Sequence, residues 1–360
     1  MKVDTQLILR AITFVKACSD LPSVDKPVMK IDITTKGIIL STSDLNIFCR
    51  ATIPFDGGDP ITIVSNPLPI IAFLAATSNK QVNIQITNKD IKLSSDSGSA
   101  QVRTSDTTIF PEWTHDQIKL LGGKDLGNFI IKEAKRIALC SSSMITPILY
   151  NVHLSCSPKR SFVEAADGYR YGKISTSAQA ADTVDLLIPI KSVLKMPIME
   201  AKVGICKSSL YFAQKHKDLT LEVWVRTSFG EYPKIVDIIS KRAKEKINIL
   251  VNGDAVDKLL SVCLAYTDDD YHNVLLSAAD SKLSLIASGQ NSYRSSVDAK
   301  VTGNGQILLD AKHIIDYIKT SSGKVVEFSI ASAEDPVFIS SEDKNFVYVI
   351  WPLKKRNETE

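Results

Sequence analysis

Five histidines, six cysteines and a run of three aspartates are the residues through which this chain could do bond-making chemistry. The histidines His115, His153, His216, His272 and His313 are scattered, each with no partner at catalytic spacing. Cys18, Cys49, Cys140, Cys156, Cys206 and Cys263 form no CxxC pair, and none lies near a histidine at metal-ligand spacing. That is the pattern of buried free thiols acting as small apolar side chains in a reducing compartment. Asp268-Asp269-Asp270 offers the oxygen donors that hold Mg2+ or Ca2+, but between a helical and a strand-like stretch it reads as a solvated loop. No P-loop, GxGxxG, HExxH or GxSxG occurs. The inventory points away from an enzyme; no metal or cofactor is expected, and the work to be explained is binding.

The charges with useful spacing are cationic. Lys132, Lys135 and Arg136 stand at i, i+3 and i+4, Lys191 and Lys195 one helical turn apart, and Lys312 and Lys319 two turns apart, while Arg10 and Lys16 share the first helical stretch. Cations spaced this way can sit near phosphates without reading bases. The plainer reading is the solvated face of an amphipathic helix, and Asp254, Asp257 and Asp316 interrupt the pattern. The 43 Lys and Arg nearly balance 40 Asp and Glu, so any nucleic-acid footprint must come from placement and not from net charge.

The elements that carry these cations recur. Helical stretches Leu7 to Cys18, Ile131 to Cys140 and Val256 to Cys263 each have a cysteine near the C-terminal end, spaced 122 and 123 residues apart. Paired strand-like runs lead into Thr42-Ser43-Asp44, Ala166-Asp167-Gly168 and Ser288-Gly289 at the same period. Apolar runs introduce second helices over Leu68 to Ala76, Ile190 to Met196 and Ala311 to Lys319. Between them period-2 alternation, as in Val82 to Ile86 and Leu219 to Val225, marks strands. Three landmarks in register describe a triplicated domain, with boundaries giving 1–124, 125–245 and 246–360. A chain of 360 residues with 44% hydrophobic content accommodates that many cores. The N-terminus lacks an apolar secretory core, and the apolar stretch Pro67 to Ala76 is about half the ~20 residues a membrane span requires, so a cytoplasmic location is expected. Short strands with bare edges would be covered if sheets continued from domain to domain around a closed ring.

The chain resembles the β sliding clamp family of bacterial DNA polymerase III. The resemblance covers essentially the whole length and is carried by Thr42-Ser43-Asp44-Leu45, Ile109-Phe110-Pro111-Glu112-Trp113, Ala166-Asp167-Gly168-Tyr169-Arg170, Gly230-Glu231-Tyr232-Pro233 and Tyr348-Val349-Ile350-Trp351-Pro352-Leu353. It implies an α+β fold of three tandem clamp domains, each with two helices on antiparallel sheets. Two copies would join head to tail as a homodimeric ring of pseudo-six-fold symmetry, with helices lining a hole for double-stranded DNA. The DNA-facing set is then Arg10, Lys16, Lys132, Lys135, Arg136, Lys191, Lys195, Lys312 and Lys319. It implies a non-catalytic processivity factor whose partners are the replicative DNA polymerase, the clamp loader, and other polymerases, ligase or mismatch-repair factors.

Those partners would dock short hydrophobic motifs in a peptide pocket. Carried over by position, it comprises Leu149, Ala166, Gly168, Tyr169, Arg170, Tyr171, Pro233, Ile238, Val349, Ile350, Trp351, Pro352 and Leu353. Taken singly, Gly168 and Pro233 also read as turn formers, and Val349 and Ile350 as core strand residues. The chain departs from the family at Trp351 for a Met, Tyr169 for a His, Asp237 for an Arg and Ala100 for a frequent Phe. The dimer contact transfers to Gln101 to Ser105 and Tyr266 to Tyr271. A peptide-binding adaptor of the same fold that never encircles DNA is the alternative.

Overall fold

The structure, a computed structural model, describes every residue except 57–58, 114–116, 142–145, 240–245, 268–271, 322–323 and 355–360. The triple Asp run therefore lies outside the described residues. The first third of the chain runs β1 (Lys2–Asp4), α1 (Thr5–Lys16), β2 (Met29–Thr34), β3 (Gly37–Ser43), β4 (Ile47–Pro54) and β5 (Ile61–Ser65), then α2 (Pro67–Ala76), β6 (Gln81–Ile86), β7 (Asp90–Ser95) and β8 (Gly98–Ser105). The middle third repeats the order: β9 (Lys119–Gly122), α3 (Lys124–Ile137), β10 (Asn151–Cys156), β11 (Ser161–Ala166), β12 (Arg170–Thr176) and β13 (Val184–Pro189), then α4 (Ile190–Lys195), β14 (Lys202–Cys206), β15 (Ser209–Lys215) and β16 (Thr220–Arg226). A short α5 (Ile235–Ile239), which the sequence pattern does not predict, precedes the last third. That third is β17 (Ile247–Asn252), α6 (Gly253–Leu264), β18 (Asn273–Ala279), β19 (Lys282–Ser288), β20 (Ser292–Thr302) and β21 (Gly305–Asp310), then α7 (Ala311–Thr320), β22 (Val325–Ile330), β23 (Val337–Ser340) and β24 (Phe346–Ile350).

Local chemistry explains where the helices begin. Asp4 accepts a hydrogen bond from the Leu7 amide, Asn66 from Leu68, Asn252 from Ala255 and Asp310 from Lys312, each satisfying a donor that the first turn leaves open. Pro67 occupies the first turn of α2, where its missing N–H costs nothing. The strands alternate as their sequences do: β2 buries Met29, Ile31 and Ile33 and leaves Lys30, Asp32 and Thr34 on the other face.

Two compact units divide the chain: Met1–Lys132 with Cys156–Lys159 and Ala178–Phe229, and Glu133–Ser155 with Arg160–Ser177 and Gly230–Glu360. The middle repeat is shared between them. In the first unit one antiparallel sheet follows the order β1-β6-β7-β8-β5-β2-β3-β4-β16-β15-β14-β9. In the second the order is β10-β11-β12-β24-β23-β22-β17-β20-β19-β18-β21. Each sheet thus crosses a repeat boundary through one strand pair. In β4–β16, Phe48 faces Trp224; in β12–β24, Tyr171 faces Val349.

The six cysteines are all buried and free. Cys18 Sγ and Cys49 Sγ stand 3.2 Å apart, and burial first, then the neighbouring thiol, pushes Cys49 well above the usual thiol range. The position matching Cys49 in the next repeat is Gly172, where a Cβ would meet Ile137 at 2.4 Å and Cys140 Sγ at 3.0 Å.

The outer face of β10–β12 holds a dense polar cluster. His153 Nδ1 lies 2.7 Å from Glu164 Oε1, Tyr171 donates its hydroxyl to Glu164 Oε2, and Lys173 Nζ is 3.6 Å from the same carboxylate. The His153 ring stacks on Tyr232 at 4.9 Å, and Lys173 Nζ sits 3.4 Å from the centre of Phe162. Burial alone would raise the Glu164 pKa, but the bonds from His153 and Tyr171 and the charge of Lys173 outweigh it and hold the carboxyl below its ordinary value.

Equivalent turns in the two units differ at one strained position. Leu45, after Asp44, has φ 75°, and Gly168, after Asp167, has φ 91°. Leu45 is 41% exposed, so little packing opposes the change. Leu45→Gly is expected to stabilise the first unit by about 0.5–1 kcal/mol, the left-handed penalty of ~1–2 kcal/mol less the extra chain entropy of glycine; urea unfolding measures it. A depressed folded pKa means that Glu164 contributes stability above its unfolded pKa and loses it as pH falls through the folded one. Thermal unfolding of the wild type is expected to weaken more steeply than that of Glu164→Gln below about pH 5.

Candidate functional site

The β12–β24 joint gathers most of the carried-over pocket residues in the second unit. Asp167 Oδ1 accepts hydrogen bonds from the Tyr169 and Arg170 amides, both at 2.9 Å, and closes the turn that Gly168 permits. Arg170 then faces Ile350, and the ladder extends one step further as the Trp351 amide donates to the Tyr169 carbonyl at 2.8 Å. The Leu353 amide donates to Leu308 O at 2.9 Å and fixes the segment beyond Pro352. Ala166, Gly168, Tyr169, Arg170, Tyr171 and Val349 to Leu353 are thus brought onto one joint by backbone bonding.

Their side chains divide into base and surface. Ala166, Tyr171, Val349 and Ile350 are almost wholly buried, whereas Tyr169 is 51% exposed and Trp351, Pro352 and Leu353 are half-buried. Pro233 is exposed and follows Tyr232, whose ring on His153 ties this segment to the polar cluster. Leu149 sits in a short 3-10 turn, Pro147–Tyr150, held from below by Asn151 donating to the Pro147 and Ile148 carbonyls. Ile238 lies in α5. An apolar surface with aromatic members on a rigid two-strand base suits anchor residues of a short peptide.

Arg170 does not face that surface as a free cation. Its guanidinium reaches Asp167 at 2.9 Å and Asp316 of α7 at 2.5 Å, and it donates to the Leu139 carbonyl. Its side chain is only 11% exposed. Arg170 is a positioning residue: it holds the Asp167–Tyr169 turn against α7. Glu164, His153, Asp167 and Asp316 support the surface from behind, and sequence reasoning named none of them for it. Asp167, three residues before Arg170 and next to a glycine, was the one legible signal.

The cationic set is heterogeneous. Arg10 and Lys16 are exposed on α1, Lys132 on α3, Lys191 on α4, and Lys312 and Lys319 on α7. Lys135 is half-buried. Arg136 is 14% exposed and engages Glu133, Asp343 at 2.8 Å and the Thr320 carbonyl. Lys195 Nζ lies 3.1 Å from the buried Asp44 carboxylate, whose hydrogen bond raises the ammonium pKa. These two cations secure helix ends and turns within their units. Among the described residues, no cluster of His, Cys, Asp and Glu is arranged to hold a metal, and no helix is long and apolar enough to cross a membrane.

No protein-family sequence model and no curated protein sequence matches the chain. Solved structures do. The β subunit of DNA polymerase from Streptococcus pyogenes superposes with TM-score 0.85 at 17% identity, over 98% of this chain and 99% of that one. The DNA polymerase III β subunit of Thermotoga maritima gives 0.85 at 15%, covering 99% of both. The sliding clamp of Pseudomonas aeruginosa bound to griselimycin gives 0.82 at 14%, again over 99% of both. At these identities the likeness speaks to architecture: from end to end, the chain has the α+β fold of bacterial DNA polymerase III β-subunit sliding clamps.

Proposed function

We propose that this protein is a DNA polymerase processivity factor: a sliding clamp that closes around duplex DNA as a homodimer. The observation that carries the reading is which strand edges remain bare. The β4 edge of the first repeat is taken by β16 of the second, and the β12 edge of the second by β24 of the third. Continuing the series would pair β20 with the strand equivalent to β16 and β24, namely β8. Within the described residues, β8 pairs with β7 along Gly98–Arg103, and β20 pairs with β19 along Ser292–Asp298; neither stretch has a strand on its other side. Such edges seek partners. Two copies joined β20 to β8 in both directions satisfy every edge and close six repeats into a ring.

The repeat register assigns the contact. Phe48 and Tyr171, each first in its strand's boundary pairing, correspond to Ser292; Trp224 and Val349 correspond to Gln101. Ser292 would thus stand opposite Gln101 of the second copy. This agrees with the Gln101 to Ser105 segment carried over from the family, while Tyr266 of its counterpart stacks on Tyr293 of β20 at 5.2 Å. Residues 268–271 of that counterpart lie outside the described residues.

In this reading the domains are 1–124, 125–245 and 246–360. The exposed members of the cationic set, Arg10, Lys16, Lys132, Lys191, Lys312 and Lys319, face the duplex without a fixed register, which sliding requires. The β12–β24 surface tethers the replicative polymerase, the clamp loader and other replication or repair factors through short hydrophobic motifs. The protein works in the cytoplasm and has no catalytic step of its own.

Topological binding separates this reading from a non-encircling adaptor. Protein loaded by a clamp loader on a nicked circle is expected to stay bound through moderate salt and to be lost once the circle is linearised, while sedimenting as a dimer. A monomer, or retention that falls with salt equally on circles and linear DNA, would leave the adaptor as the better account.

A further inference from the structure

The outer face of β2–β5 in the first unit is built on the same register as the outer face of β10–β12 in the second, 123 residues later. Asp32 faces Ile39 as Ser155 faces Phe162, and Ser41 faces Arg50 as Glu164 faces Lys173. The later face is filled by its own side chains: His153 on Tyr232, Tyr171 on Glu164, and Lys173 over Phe162. In the first unit Ile39 stands where Phe162 does and Ser41 where Glu164 does, and the face is hollow. A cavity of about 760 Å3 opens there, between Lys30, Asp32 and Arg50 on the sheet and Phe48, Phe110 and Trp113 as aromatic walls. That volume is in the range of small-ligand and peptide-anchor sites.

The chain itself displays what sits on this face. Phe110-Pro111-Glu112-Trp113 runs across it. Phe110 packs on the apolar cluster of Leu21, Val28 and Val64. Trp113 stacks on Phe48 at 5.1 Å and 16°, with the Arg226 guanidinium 5.1 Å from its ring. An aromatic and acidic segment is therefore the native covering of the neighbouring ground.

The charges bordering the hollow select in the same sense. Lys30 pairs with Asp32 at 3.4 Å and Arg50 with Glu222 at 2.8 Å. In both pairs the cation is the more exposed partner, 35% against 21% and 25% against 13%. The sheet thus turns positive charge toward the cavity. Glu112 at the rim is the opposing charge.

We propose that this cavity is a second binding site, for an acidic peptide segment of a partner protein that carries an aromatic side chain. The aromatic ring enters between Phe48, Phe110 and Trp113, and the carboxylates lie over Lys30 and Arg50. The site is separate from the β12–β24 surface and does not depend on it.

Fluorescence anisotropy on the full-length protein at low salt tests it, with two labelled probes: acetyl-Asp-Phe-Glu-Trp-Asp and acetyl-Lys-Phe-Lys-Trp-Lys. Saturable binding of the acidic probe alone is expected. Ile39→Phe with Ser41→Glu, which installs the residues of the filled face, should weaken it at least tenfold. Lys30→Gln, a surface change, should weaken it severalfold with the melting temperature unchanged. Trp351→Ala, in the other candidate surface, should leave it as it is. Equal binding of the basic probe, loss of binding in Trp351→Ala, or indifference to both cavity variants would overturn the proposal.

Discussion

Every backbone N–H and C=O along a strand edge must find a partner, and this requirement organises the molecule. Twelve strands of the first unit and eleven of the second run in unbroken antiparallel order because each repeat ends on an edge that the next repeat can use. The β4–β16 and β12–β24 pairs supply the partners inside the chain. What is left, the outer sides of Gly98–Arg103 and Ser292–Asp298, is the same pair of edge types with no third neighbour to join them. β20 shows the consequence in its composition: all eleven residues alternate between exposed and half-buried, with no member in a core.

The joints are secured by a recurring electrostatic device. In the first unit the turn carboxylate Asp44 accepts from the Asn46 and Ile47 amides and holds Lys195 of α4. In the second, Asp167 accepts from the Tyr169 and Arg170 amides, and Arg170 carries the link on to Asp316 of α7. In each case the turn at the head of a boundary strand is tied to the second helix of the following repeat. Buried, multiply bonded carboxylates of this kind fix geometry more than they add net stability. The third repeat has Gly289 at the matching position and so lacks the device.

The triplication was legible because a repeated fold repeats its apolar periods, turn residues and cysteines, and these lie in the sequence whatever the tertiary contacts. Helix starts were off by two to seven residues where caps such as Asp4 and the polar opening of α3 precede the apolar pattern. α5 was missed because five residues hold too short a period, and β20 because its Ser-rich alternation lacks the apolar half of a strand signal. At the candidate site, the surface residues came with the family resemblance. The cluster beneath them did not, since His153 and Glu164 meet only through a strand pairing. The roles of Arg136 and Lys195 were illegible for the same reason: their carboxylate partners, Asp343 and Asp44, are 207 and 151 residues away.

The central claim is that β20 of one copy completes the sheet at β8 of another, in the register that the two internal joints already use. Cysteine cross-linking in the doubly substituted chain Gln101→Cys, Ser292→Cys measures this directly, since the six native cysteines are buried. Mild oxidation is expected to give a covalent dimer in high yield, with both joints of the ring closed. A register-shifted control, Gln101→Cys with Val297→Cys, should give little. A chain that stays monomeric under oxidation, or cross-links equally well in both registers, would contradict the account.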